Sequence, residues 1–301
     1  MILVSRPWKD EADYARMRAL LQAQPDVREQ GAQCTVGDLD WWRGISNDPN
    51  QMERIELWFA ANDPERLAAF AWREDGRADL FVDPAFRGAE RELIAWAVAN
   101  AGDAATLAIT AYDRDLERQR LLAEAGFERT DEHYTYRKHP LDGALPSPLL
   151  PPGYSVQDMV GATPGRVERR VEVHRAAWAP SRMSVAKHQV VMQSPTYRPD
   201  LDLVVVAPDG AFASCTIVWH DPVNEIGVFE PVGCDPAFRQ RGLTKALMHD
   251  GLRRLQALGA RNAFVNSWYD SLPANRLYER SGFQLVDFDR KWVKTFAAPG
   301  T

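Results

Sequence analysis

The stretch Arg239-Gln240-Arg241-Gly242-Leu243-Thr244 puts two cationic side chains and a glycine into one short turn. The apolar run VFEPVGC comes before it and LTKALMHDGLRRLQALGA after it. In the second run Leu243, Ala246, Leu247, Leu252, Leu255 and Leu258 share one helical face, and Gly259 suits a C-terminal stop. The order is therefore strand, turn, helix, with the helix starting near Gly242. The first N–H groups of a helix have no internal partner and lie at the positive end of its dipole, so such a turn favours a phosphate. Gly242 lets a bulky anion approach the main chain. Arg239, Arg241 and Lys245 add positive charge. Glycine and charge alone favour a plainer reading, an ordinary strand–helix turn with a solvated basic rim. No Gly-Lys-Ser/Thr is present, so the turn is not a P-loop.

The residues that lead into this turn occur twice. Asp83–Arg87 and Asp235–Arg239 both read DPAFR, about half a chain apart. A second echo follows in the same order at nearly the same offset: LLAEAGF at Leu121–Phe127 and LYERSGF at Leu277–Phe283. Two echoes in register predict duplication of a whole domain, a unit far longer than a solenoid repeat. A chain of 301 residues has room for two domains, each with its own core. The segment from His139 to Gly153 carries five prolines and two glycines and reads as the linker. This gives a first domain over 1–140, a Pro-rich linker over 141–152 and a second domain over 153–301.

In the second half, YSVQDM reads as a strand and ERRVEVHRAAW as a helix. LDLVVVAP and FASCTIVWH form a hairpin around Pro208, Asp209 and Gly210. NAFVNSW is a strand, LPANRLYERSG a short helix with Pro273 near its start and Gly282 past its end, and FQLVDFDRKWVKTF returns to strand. The first half follows the same course with weaker signals. ADYARMRALLQAQ and ERELIAWAVANAG are helices, and IELWFAA with RLAAFAWRE is a hairpin around Asn62, Asp63 and Pro64. LFVD and ATLAITAY are strands. The class is α/β (α+β), two tandem domains, each with a mixed, mostly antiparallel sheet flanked by helices.

Composition excludes several functions. Hydrophobic content of 45% and charged content of 26% are ordinary for a soluble globular chain. No run approaches the roughly 20 apolar residues of a membrane span, and MILVSRPWKDEADYARM meets charge too early for a signal peptide. Cys34, Cys215 and Cys234 are few, odd in number and scattered, which predicts neither a disulfide framework nor a metal site and suggests a reducing, cytoplasmic setting. The net charge of −6 gives no reason to expect nucleic acid. Nothing in the sequence sets the oligomeric state.

The flanks of the turn carry a resemblance. The pattern Arg-x-x-Gly-x, preceded by a strand and Asp-Pro and followed by an amphipathic helix, resembles the pyrophosphate loop of the GNAT (GCN5-related) N-acetyltransferases. The later segment Ala274–Phe283, ANRLYERSGF, resembles that family's second acetyl-CoA-contacting segment. Thr244 departs from the pattern, standing where the family usually has Gly or Ala; its side chain either crowds the diphosphate or donates to it. The tandem arrangement with an active second half resembles the mycothiol synthases in architecture alone. The strand Val228-Phe229-Glu230-Pro231-Val232-Gly233 is not what that comparison leads one to expect.

The resemblance implies acetyl transfer from acetyl-CoA to a primary amine by direct attack in a ternary complex, with no metal. Main-chain amides over Gln240–Thr244, with Arg239 and Arg241, would hold the diphosphate, and the backbone of Val232 and Cys234 the pantetheine arm. Pro231 has no N–H, which fits a bulged or splayed strand there. Glu230 is the candidate base, with a structural carboxylate as an equal alternative, and His174 is the reserve. Tyr278 falls at the position of the family's general acid, with Asn275 as a cofactor contact on the same helix face. Trp178, Trp219, Trp268 and Tyr269 are candidate pocket aromatics. The first copy supplies a contrast. Glu90 stands where Gly242 stands, Leu122 where Tyr278 stands and Gln119 where Asn275 stands, which reads as a degenerate domain whose carboxylate should repel a diphosphate. The acceptor expected is a small-molecule amine, with no nucleic acid or membrane partner. Acetylation of a protein N-terminus or lysine, and an acyl-CoA sensor without turnover, stay open.

Overall fold

The computed structural model describes residues 2–24 and 26–296. The first half runs β1 (Leu3–Pro7), α1 (Glu11–Gln22), α2 (Val27–Gln30), α3 (Val36–Ile45), β2 (Ile55–Ala60), β3 (Asp63–Glu74), β4 (Arg77–Val82), α4 (Glu90–Ala99), β5 (Thr106–Tyr112), α5 (Leu116–Glu124) and β6 (Glu128–Pro140). After the Pro-rich segment come β7 (Ser155–Asp158), α6 (Pro164–Ala177), α7 (Val185–Met192), β8 (Asp202–Val206), β9 (Phe212–Asp221) and β10 (Ile226–Cys234). The chain finishes with α8 (Leu243–Ala257), β11 (Asn262–Trp268), α9 (Leu272–Arg280) and β12 (Gln284–Thr295).

Local chemistry sets many of these boundaries. Asp10 caps α1 by accepting from the Ala12 amide at 3.0 Å. Thr35 and Asp38 form a reciprocal capping box at the start of α3. The β8–β9 hairpin turns at Gly210, whose φ of 85° needs glycine.

The twelve strands form one continuous sheet in the order β1-β2-β3-β4-β5-β12-β6-β11-β10-β9-β8-β7. Among the described residues only the β4–β5 and β10–β11 pairs are parallel, so the mixed, mostly antiparallel class expected from the sequence holds. The two sheets are fused because each half gives its last strand to the other. β6 pairs antiparallel with β11 from Asn262↔Pro140 to Trp268↔Tyr134. β12 pairs with β5 from Asp289↔Tyr112 to Thr295↔Thr106. β6 and β12 then lie side by side at the centre. The exchange covers two edges that would otherwise expose unpaired main-chain groups. Trp292 of β12 accordingly packs in the core of the first half, with Leu93, Leu107 and Leu122.

Helix α3 seals the junction. Gly37 and Gly44 lie on one face of it, and both are required by contact with the second half. A Cβ on Gly37 would come within 2.3 Å of the Trp219 side chain, and one on Gly44 within 2.5 Å of Val191. Around them Val27, Trp41, Tyr136, Ile217, Trp219 and Phe264 make a core shared by both halves.

Candidate active site

The two copies of DPAFR start alike and diverge at the arginine, which continues the turn at Arg87 and is extended at Arg239. Asp83 and Asp235 each accept from the amide two residues on at 2.8 Å, with φ of −59° and −55°. In the first half the turn runs from Pro84 to Ala89 straight into α4, with no left-handed residue. In the second half Gln240 and Gly242 adopt φ of 64° and 76°, and α8 starts only at Leu243. Left-handed residues just before a helix are the backbone conformation that gathers successive N–H groups around an anion. A Cβ on Gly242 would meet nothing within 4 Å. Glycine is thus required by backbone conformation, and the open space beside it is available to a ligand.

Strand β10 opens beside this turn. It pairs with β11 only from Ile226↔Asn262 to Val228↔Phe264. On its other side the register with β9 shifts between Phe229 and Val232, where Pro231 has no N–H to offer. Beyond Phe229 the strands diverge into a cleft with a volume of about 1160 Å³. This is the splay expected from the sequence.

Most of the residues singled out line this cleft: Glu230, Val232 and Cys234 on β10, the whole turn from Arg239 to Thr244, Trp268 on β11, Tyr278 on α9, and His174 and Trp178 at the end of α6. Trp178 lies on the backbone of β10, where a Cβ on Gly233 would be 2.4 Å from its ring, and it stacks on His174 at a ring separation of 4.4 Å. Thr244 turns its hydroxyl toward Ser214 on β9, 3.0 Å away, and Ser214 donates to the Gly233 carbonyl. The β-branched side chain is therefore held against the sheet.

Three of the predicted residues lie elsewhere. Asn275 is absent from the cleft wall. Its Oδ1 accepts from Arg137 at 2.6 Å and Ser267 at 2.8 Å, and its Nδ2 donates to the carbonyls of Trp268 and Tyr269 at 3.3 and 3.4 Å. Arg137 comes from the exchanged strand β6, so this bond ties α9 to a strand of the first half. Trp219 is 2% exposed and donates from Nε1 to the Glu230 carbonyl at 2.6 Å, so it fixes the strand and touches no ligand space. Tyr269 packs on His133 outside the cleft.

The ionisable groups differ in kind. Burial raises the Glu230 carboxyl well above the usual 4.5; a hydrogen bond to Asp38 and the charge of Asp38 raise it further, and Arg77 opposes them. Burial lowers His174 to about 3, helped by the charge of Arg170 beneath it, so the imidazole is neutral at physiological pH. Its Nδ1 is buried without a partner. Burial and the charge of Glu230 raise the Tyr278 phenol, so it stays protonated and can donate. Sequence reasoning missed Asp38, Trp41 and Ile45, which bring α3 of the first half to this site, and Arg276 and Arg280 on α9, which line the cleft. The arginines follow α9's exposed face; α3 gave no local signal.

The equivalent place in the first half is closed. Glu90 is wholly buried and ion-paired with Arg118, and Arg87 lies 3.3 Å from its other oxygen. The carboxylate expected to repel an anion from outside instead locks the turn from within. Arg118 also donates to the Leu80 carbonyl at 3.0 Å and to Gln33 at 2.6 Å, filling the end of β4.

The donors around the second turn suit a diphosphate: left-handed Gln240 and Gly242, an open helix start, and Arg239, Arg241, Lys245, Arg276 and Arg280 on the cleft wall. Among the described residues no group of His, Cys, Asp or Glu is placed to hold a metal, and no helix is long and apolar enough to cross a membrane.

Comparison with known proteins agrees with this geometry. Residues 170–283 match the family model for the acetyltransferase (GNAT) family. A mycothiol acetyltransferase of Actinosynnema mirum is 31% identical over 179 residues, 58% of this chain and 58% of that relative's length. Another, from a Nocardioides species, is 28% identical over 267 residues, 82% of this chain and 87% of that relative. Among solved structures, a GCN5-related N-acetyltransferase from Sphaerobacter thermophilus superposes with a TM-score of 0.65 at 21% identity, covering 97% of this chain and 95% of that one. A tandem GNAT protein from the clavulanic acid biosynthesis pathway does so with a TM-score of 0.63 at 17% identity, covering 100% and 99%. The match over residues 170–283 makes the second half similar to the GNAT acetyltransferases, and the whole chain has the fold of solved tandem GNAT proteins.

Proposed function

We propose that the second half moves an acetyl group from acetyl-CoA to the primary amine of a small molecule, by direct attack while both are bound. The observation that carries this reading is the convergence of three features on one cleft: the left-handed turn at Gly242, the splay of β10 from β11, and Glu230 with Tyr278 in the same wall. The co-substrate supplies an activated thioester when bound.

The chain's own residues then have separate tasks. Amides from Gln240 to Thr244, with Arg239 and Arg241, hold the diphosphate. Main-chain groups at Val232 and Cys234 bind the pantetheine arm, and an N–H there faces the developing oxyanion. Glu230 takes a proton from the incoming ammonium, since a protonated amine has no lone pair to attack with. Tyr278 donates to the departing sulfur. His174, neutral and stacked on Trp178, shapes the acceptor end. The first half, 1–140, is a degenerate domain that walls the cleft without binding the cofactor; the linker is 141–152 and the active domain 153–301.

The relatives' name, mycothiol acetyltransferase, favours a small-molecule amine over a protein N-terminus or lysine. A panel of small amines, including the acceptor of the mycothiol relatives, together with peptides, tested for release of free CoA, decides the matter. Turnover with a small amine is expected. Turnover with peptides alone would replace this reading, and binding of acetyl-CoA with no turnover on any acceptor would make the protein a sensor.

A further inference from the structure

We propose that Asp38, carried on α3 of the first half, completes the base of the second half's cleft by sharing a proton with Glu230. The inference rests on Glu230 being the base proposed above.

Packing brings the two carboxyls together. Gly37 lets the backbone of α3 lie against Trp219, and Trp219 in turn donates to the Glu230 carbonyl at 2.6 Å. Asp38, the next residue on α3, is thereby placed within hydrogen-bonding reach of the Glu230 side chain. Asp38 Oδ2 is held by the Thr35 amide at 2.6 Å and the Thr35 hydroxyl at 2.7 Å. Its Oδ1 is buried and has no donor of its own. Two carboxylates can be joined by a hydrogen bond only if a proton lies between them. The free oxygen of Asp38 is therefore an acceptor waiting for a proton that arrives on Glu230. Trp41, one turn further along α3, faces the same cleft as Glu230.

The step balances. The ammonium gives one proton to Glu230, and the N–H bonding pair stays on nitrogen as the lone pair that attacks. The proton is held between Glu230 and Asp38, so the pair goes from two negative charges to one as the substrate loses its positive charge. A neighbouring carboxylate strengthens a base by disfavouring its ionised form, and a base poised nearer the working pH is more effective. The titratable and charged groups close enough for their charge to be felt at Glu230, or to feel it, are Asp38 on α3, Arg77 on β4, Cys34 before α3, Tyr134 and Tyr136 on β6, and Tyr278 on α9. Arg77 alone opposes protonation; it is engaged by Asp79 at 2.7 Å.

The test uses the full chain in two measurements. Carboxyl titration by ¹³C NMR on glutamate-labelled protein, with Glu230 assigned through E230Q, needs no turnover. The pH dependence of kcat/KM is then recorded with acetyl-CoA and the best amine from the panel. In wild type, Glu230 should titrate far above an ordinary glutamate. In D38N it should titrate lower by about one pH unit or more, a tenfold loss of proton affinity. The acid limb of kcat/KM should move down with it and kcat should fall about tenfold, while acetyl-CoA affinity holds; the melting temperature drops because Asp38 also caps α3. An ordinary midpoint in wild type, or the same midpoint in D38N, overturns the pair; the wild-type titration decides even if the variant does not fold. If the midpoint moves but the acid limb does not, Glu230 is not the base. That outcome overturns the catalytic inference together with the role given to Glu230 above.

Discussion

Glu90 and Arg118 form a wholly buried ion pair at the point in the first half that corresponds to Gly242 in the second. One substitution in the duplicated turn thus exchanges a cleft-lining glycine for an inward-facing carboxylate. Glu90→Gly restores the second half's residue but strands the Arg118 guanidinium. It should cost about 3–5 kcal/mol of stability and confer no acetyl-CoA binding on the first half. Denaturant unfolding followed by calorimetric titration checks both parts.

Tyr278 lines the cleft 5% exposed, its phenol held protonated by burial and by the charge of Glu230. Tyr278→Phe keeps the ring that packs near Phe283 and deletes only the donor. Turnover should fall by about 10²-fold or more with acetyl-CoA affinity unchanged, as read by CoA release and by equilibrium binding. A protein that only binds acyl-CoA would show no turnover to lose.

The pH profile separates the two candidate bases. Glu230 is raised well above 4.5 and His174 is lowered to about 3. A carboxylate base is active when ionised, so activity that depends on Glu230 is lost as pH falls through its raised pKa. A His174 base would keep the enzyme active far below that. Glu230→Gln should reduce kcat/KM by about 10²-fold or more and remove the acid limb; His174→Gln should leave that limb in place.

The strand exchange couples the halves. Trp292 belongs to the last strand of the chain but to the core of the first half. Trp292→Ala should destabilise by about 3–5 kcal/mol. Wild type and variant should each unfold in one cooperative transition by calorimetry, because neither half has its full sheet without a strand of the other.

Much of this was legible in the sequence because it is local. The duplicated DPAFR turn, the glycine that starts α8, Pro231 in the splayed strand and Tyr278 in its helix all announce themselves by residue type and spacing. The exchange of β6 and β12 was not legible, since strand periodicity says which face is buried and nothing about which strand lies alongside. Asn275 shows the same limit. Its copy Gln119 donates to the carbonyls of Tyr112 and Asp113 at 2.9 Å each, as Asn275 does to Trp268 and Tyr269, so both side chains anchor the end of the preceding strand. Helix α3 was missed because its apolar residues follow a junction between halves that only the folded chain creates, and Asp38 was missed with it.

Calorimetric titration of the full chain with acetyl-CoA tests the central claim most directly, that the turn at Gly242 grips a diphosphate and its copy at Glu90 does not. The account predicts one equivalent bound per chain, and no binding to Gly242→Glu, which copies the first half's residue into a position where φ is 76°. Two equivalents per chain, or unchanged affinity in that variant, would contradict it.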